Sequence, residues 1–162
     1  LNARSKPVVV AALSAAGVAM LGALTTELGP WYFKLHKPSW QPPDWLFGPA
    51  WTLIFALAAL AAVVYWRAAE DPAERGQMLA AFACNAFLNT FWSLLFFRLR
   101  RPDWALYEVG FLWLSILALI VLLGRRSTLA AWLLAPYLAW VSFASFLNFT
   151  IVRLNAPFLH GG

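Results

Sequence analysis

Asn85 and Asn89 stand four residues apart in an apolar run, and Trp92, Ser93 and Phe96 continue the same helical face. Amides in such surroundings are placed inward, against a partner. Two uses fit them equally. One is a hydrogen bond between helices, worth about 0.6 kcal/mol in a bilayer; the other is a donor and acceptor offered to a ligand. A second stripe, Tyr137, Trp140, Ala144 and Asn148, recurs at spacings of three and four, and Ala144 leaves room beside Trp140. Trp51 follows Pro49 near the start of another apolar run. These tryptophan-bearing segments can converge on one cavity, whose chemistry would be stacking on a flat apolar molecule oriented by an amide.

Other chemistries find little material. His36 and His160 are distant in sequence, no Cys/His cluster exists, and no glycine-rich phosphate loop appears, so no metal site is expected. No paired carboxylates or Ser/His/Asp set sits where a pocket would be, which leaves hydrolytic chemistry unsupported. Glu108 is the one carboxylate well inside an apolar run. Its depth of about 6 Å from Trp104 favours snorkelling to the interface or pairing with Arg100 or Arg101. Cys84 reads as a small packed residue and, as the only cysteine, has no intramolecular disulfide partner.

The elements that must position these residues follow from composition. Of 162 residues, 62% are hydrophobic and 12% charged, where a soluble domain carries about a quarter charged residues. The natural solvent is lipid. Five apolar stretches, Pro7 to Thr26, Phe47 to Trp66, Leu79 to Phe97, Trp104 to Leu123 and Leu129 to Val152, each approach the ~20 residues needed to cross a bilayer. Strand alternation is absent, and lipid demands internally satisfied backbone, so the fold class is an all-α five-transmembrane-helix bundle, a single domain over residues 1–162. The short polar breaks at 70–72, 100–103 and 124–127 predict that the helices they join are antiparallel neighbours. Residues 7–26 are long enough to read as a retained span rather than a cleaved signal.

A net charge of +5 could point to nucleic acid, but the basic residues are scattered in ones to threes between apolar runs, facing lipid headgroups instead. Counting them by side gives six against six, so the positive-inside rule leaves the topology open. Ala11, Ala15, Ala19 and Ala23 form a ladder of small side chains that suits close approach of another helix, either within the chain or in a homodimer. The connection 27–46 carries Trp31, Tyr32, Phe33, Leu35, Trp40 and Trp45, costly to leave in water, and four prolines that forbid a long helix. It is expected to fold back over the bundle as a lid; an aromatic belt anchoring helix ends is the alternative.

Several segments together are distinctive: Trp31-Tyr32, Lys37-Pro38-Ser39-Trp40, Pro42-Pro43-x-Trp45-x-Phe47 and Pro49-Ala50-Trp51-Thr52. Further along come Asn85-x-x-x-Asn89-x-x-Trp92-Ser93-x-x-Phe96-Phe97, Trp104-Ala105-Leu106-x-Glu108, and Pro136-Tyr137-Leu138-Ala139-Trp140 through Asn148 to Arg153-x-Asn155. In this order they resemble the TspO/translocator protein family, also described as tryptophan-rich sensory proteins and peripheral-type benzodiazepine receptors, over residues 7–155. Alanine-rich, charge-poor helices lean toward a bacterial member, in the cell envelope.

The resemblance implies a binding protein for porphyrin or haem, with no intrinsic cofactor, acting as sensor, carrier or regulator of tetrapyrrole metabolism and stress response. By that resemblance Trp31, Tyr32, Trp40, Trp51, Phe55, Asn89, Trp92, Tyr137, Trp140 and Ala144 line the ligand pocket. An alternative is light- and oxygen-dependent degradation of protoporphyrin, with Trp51 and Trp140 as electron donors; a further one is sterol or lipid binding. Three departures from the family's pattern matter. Phe55 stands where Tyr is usual, which removes a hydroxyl from the pocket wall. The sterol-type motif becomes Leu147, Phe149 and Arg153, without its Tyr, which weakens the sterol expectation. Arg98 follows Phe96-Phe97 where a small residue is common, which would alter the end of the third helix.

Overall fold

A computed structural model of the chain describes residues 2–26 and 28–158. His160, and Glu27 at the start of the expected lid, lie outside the described residues. Among the described residues five helices are long and apolar enough to cross a membrane: α1 (Lys6–Thr25), α3 (Asp44–Ala68), α4 (Pro72–Ser93, carried on to Arg98 by a π-helical turn), α5 (Pro102–Gly124) and α6 (Thr128–Asn155). A short helix, α2 (Pro30–Lys34), lies in the first connection. The chain is an integral, multi-pass membrane protein.

Helix boundaries depart from the apolar runs where the ends are polar. α4 begins seven residues before Leu79, because Asp71 caps it by accepting from the Ala73 N–H and Pro72 occupies its first turn. The following Ala-Glu-Arg-Gly-Gln stretch is mostly helix-favouring, but too polar for a hydropathy reading to include. At the other end the ladder shifts to i+5, with the Leu99 N–H donating to the Leu94 carbonyl at 2.9 Å. This π turn carries Phe96, Phe97 and Arg98, and Arg100 leaves it with φ at 55°.

The five spans form a ring in the order α1, α3, α6, α5, α4 and back to α1. Thus α4 with α5, and α5 with α6, are antiparallel neighbours as expected, while α3 and α4 are not. They share a three-residue link yet diverge, and α1 closes the gap between them. The core lies on the α3, α5 and α6 side, where Ile116, Leu119, Leu134 and Val141 are fully enclosed. α1 contains no buried residue, so its inner face looks onto open space. The alanine ladder lies on that face: Ala19 and Ala23 border one internal cavity and Ala11 and Ala15 another. Cys84 is exposed on the outer surface of α4 rather than packed.

Candidate ligand-binding site

The lid is built around Tyr32. Its hydroxyl donates to the Asp44 carboxylate at 2.8 Å and accepts from the Gln41 side-chain amide at 3.1 Å. Burial first, then the bond to Asp44, pushes that phenol well above the ordinary range, so it stays a donor. The Lys37 ammonium donates to the Tyr32 carbonyl at 2.8 Å and lies 4.3 Å above its ring. At the far side, His36 and Asn155 of α6 exchange two hydrogen bonds. The first connection therefore folds back as a lid, with Tyr32 and Trp31 packed on the π turn through Phe97 and Phe96. Not all its aromatics are covered. Phe33 and Trp45 stay 61% and 71% exposed, because α2 and the first turn of α3 direct them outward, where they can act as an interfacial belt.

Beneath the lid lies a cavity of about 380 Å³. Tyr32, Trp51, Phe55, Asn89, Trp92, Trp140 and Ala144 all face it. Trp51 and Trp140 meet edge-to-face with ring centroids 6.3 Å apart, and Phe55 stacks on Trp51 at 5.4 Å. The remaining expected residues stand elsewhere. Trp31 braces Phe96 from behind, and Trp40 stacks at 5.2 Å on Phe146, on the outside of α6. Tyr137 is buried one layer back, where its hydroxyl donates to Asn85 and accepts from Asn89, both at 3.0 Å. Both uses open to the amides are thus realised on one face: Asn85 and Asn89 tie α4 to α6 through Tyr137, and Asn89 also borders the cavity.

Two groups at the site carry no signal in the sequence alone. Gln41 and Asp44 read as loop polar residues, yet both border the cavity beside Tyr32. Asn148 accepts from the Trp92 indole N–H at 3.1 Å and donates to the Pro102 carbonyl at 2.9 Å, which fixes the rotamer of a cavity-lining ring. Leu147 turns toward the cavity, while Phe149 and Arg153 share the outer face, the guanidinium 5.8 Å from the ring; the sterol-type motif is divided between two surfaces. Glu108 pairs with neither Arg100 nor Arg101. It is 6% exposed with both oxygens unpartnered among the described residues, because its face of α5 turns inward and Arg101 is engaged by Asp103 and stacked on Trp104. Among the described residues no group of three or more His, Cys, Asp or Glu could hold a metal ion.

The TspO/MBR family model matches residues 8–154, which takes in nearly all of the five spans and the first connection. This chain belongs to the TspO/MBR family. It is 43% identical over 134 residues to the tryptophan-rich protein TspO of Chlorobaculum tepidum, covering 81% of this chain and 84% of that one. Over 143 residues it is 37% identical to the tryptophan-rich sensory protein of Cereibacter sphaeroides, 88% of each chain. It is also 34% identical over 126 residues to the translocator protein of Homo sapiens, covering 77% of this chain and 75% of that one. In this TspO/MBR chain the motif tryptophans divide by role: Trp51, Trp92 and Trp140 wall the cavity, while Trp31 and Trp40 fasten the lid around it.

Proposed function

We propose that this protein binds a tetrapyrrole, porphyrin or haem, in the cavity beneath the lid, and acts as a sensor, carrier or regulator in a bacterial cell envelope. The observation that carries this reading is the Trp51 and Trp140 pair on the cavity wall with Asn89 beside it. Broad indole faces suit a flat conjugated macrocycle, and an amide side chain can orient a polar substituent on its rim. A volume of about 380 Å³ falls in the range of small-molecule sites. The relatives' names, a sensory protein among them, favour a signalling role over a purely structural one. Tryptophan fluorescence tests the reading when protoporphyrin, haem and a sterol are added to the solubilised protein and to Trp140→Phe. Saturable quenching by a tetrapyrrole, weakened in the variant, supports it; an identical response in both proteins counts against it.

A second reading rests on the same pair. Two indoles in contact at the cavity wall are placed to donate an electron to a light-excited porphyrin. The reduced pigment passes it to dioxygen, the indole radical takes an electron back from the macrocycle, and the superoxide adds to the oxidised ring, so that pigment and dioxygen are consumed one for one. Turnover separates this from simple binding, because only an enzyme forms more than one equivalent of product per chain under illumination. Sterol binding is less well supported, since its motif lacks the Tyr hydroxyl and does not present Leu147, Phe149 and Arg153 on one face.

A further inference from the structure

A second cavity, of about 680 Å³, occupies the opposite end of the ring between α1, α3 and α4. Phe55 borders both cavities and Tyr137 closes the end of this one, so the two rings form the partition. Its length is set by α1, from Pro7 at the mouth to Val18 at the floor, about 16 Å at the helical rise. One leaflet of hydrocarbon is about 15 Å deep. The chamber therefore matches the depth of one leaflet, the span of a single acyl chain.

Its chemistry changes along that length. At the floor the polar atoms are already engaged: Tyr137 with Asn85 and Asn89, and Asn85 with Ser115 at 3.0 Å. The middle is a slot between alanines, Ala11 and Ala15 on α1 facing Ala62 on α3 and Ala83 on α4. Val10 and Leu79, each 51% exposed, edge its α1–α4 side. The mouth is cationic. Lys6 borders it, and the Arg67 guanidinium donates to the Arg4 carbonyl at 3.3 Å, which gathers three basic residues at this end. The nearby acids are occupied: Glu70 and Glu74 hold Arg126 at 3.5 and 2.7 Å, and Asp71 caps α4.

We infer that this cavity is a lipid site, which takes one acyl chain of an anionic phospholipid and holds its phosphate at Lys6, Arg4 and Arg67. An apolar slot of one leaflet's depth with a basic rim is complementary to that molecule in both length and charge.

Native mass spectrometry of the full chain in mild detergent, supplied with phosphatidylglycerol and phosphatidylcholine of identical chains, tests this. One phosphatidylglycerol per chain is expected, favoured about fivefold over phosphatidylcholine, the size of one basic residue's attraction to an anionic surface. The Ala11→Leu/Ala15→Leu double variant fills the slot and should lose the bound lipid while still quenching with protoporphyrin. Ala83→Leu fills the same slot from α4, so misfolding of one variant leaves the other to decide. Lys6→Ala should retain a lipid but narrow the preference between headgroups, since Arg4 and Arg67 remain. Equal retention of lipid by a folded slot-filling variant, or equal uptake of both lipids by the parent, overturns the assignment.

Discussion

Asn155, in the last turn of α6, accepts the backbone N–H of His36 on its side-chain oxygen and donates its own N–H to the carbonyl of the same residue, both at 2.8 Å. This reciprocal pair latches the lid to α6, while the Tyr32 hydroxyl on Asp44 ties it to the start of α3. Each such bond contributes about 1 kcal/mol net, so losing both removes about 2 kcal/mol from the closed state. Asn155→Leu should therefore raise the rates of protoporphyrin association and dissociation by about tenfold or more, with a smaller change in affinity. Stopped-flow quenching reads both rates; unchanged kinetics would show that the Tyr32–Asp44 bond and the stacked rings hold the lid without the latch.

Tyr137→Phe removes one hydroxyl that serves two buried amides. Interhelical bonds in membranes average about 0.6 kcal/mol, but leaving both Asn85 and Asn89 without this partner raises the cost to about 1–3 kcal/mol. A Tm lowered by several degrees is the expected outcome, measured by thermal denaturation in detergent. The indole pair should be undisturbed, so quenching by protoporphyrin ought to persist below the new Tm.

Glu108 makes the opposite case. A carboxyl that is buried with no partner contributes desolvation cost and no bond, so an apolar replacement of similar length should not destabilise the fold. Glu108→Leu is expected to match or exceed the parent's Tm. A loss of more than about 2 kcal/mol in stability, for Glu108→Leu and for the isosteric Glu108→Gln alike, would contradict an unpartnered carboxyl.

Trp51 and Trp140 give a prediction specific to photochemistry. If they supply electrons to an excited porphyrin, replacing both by Phe keeps two aromatic faces but removes the easily oxidised indoles. Loss of protoporphyrin fluorescence under light and oxygen should then slow to the rate of free pigment, while binding falls only modestly. Light-dependent decay at the parent's rate in the double variant excludes the role.

The spans were legible because lipid makes apolar run length a direct measure of a helix, as with α5 and α6. Polar ends were not: the first turns of α4 escaped because Glu74 and Arg75 sit at the headgroup level, where helix and loop have the same composition. Asn89, Trp140 and Ala144 could be placed on one cavity because their spacing fixes their faces and the family motif fixes their order. Tyr137 shares that spacing yet lies behind the cavity, since helical periodicity gives direction but not which layer a side chain reaches. Ring order was hidden for a similar reason. A three-residue link brings the ends of α3 and α4 together, but the packing of α1 and α6 decides whether the helices stay together. Glu108 was drawn to Arg101 on proximity in sequence, and Asp103, closer still, had already engaged it.

Whether the cavity beneath the lid holds the tetrapyrrole is best tested by Ala144→Phe. The new ring would project beside Trp140 into the space a macrocycle needs, without touching the lid latch or the Asn85, Tyr137 and Asn89 network. Equilibrium titration with protoporphyrin, followed by the pigment's absorbance on the parent and on a variant of equal Tm, should give saturation near one equivalent for the parent. The variant should bind at least about tenfold more weakly, a loss of about 1.4 kcal/mol. Unchanged affinity in the folded variant would contradict the assignment and place the pigment outside this cavity.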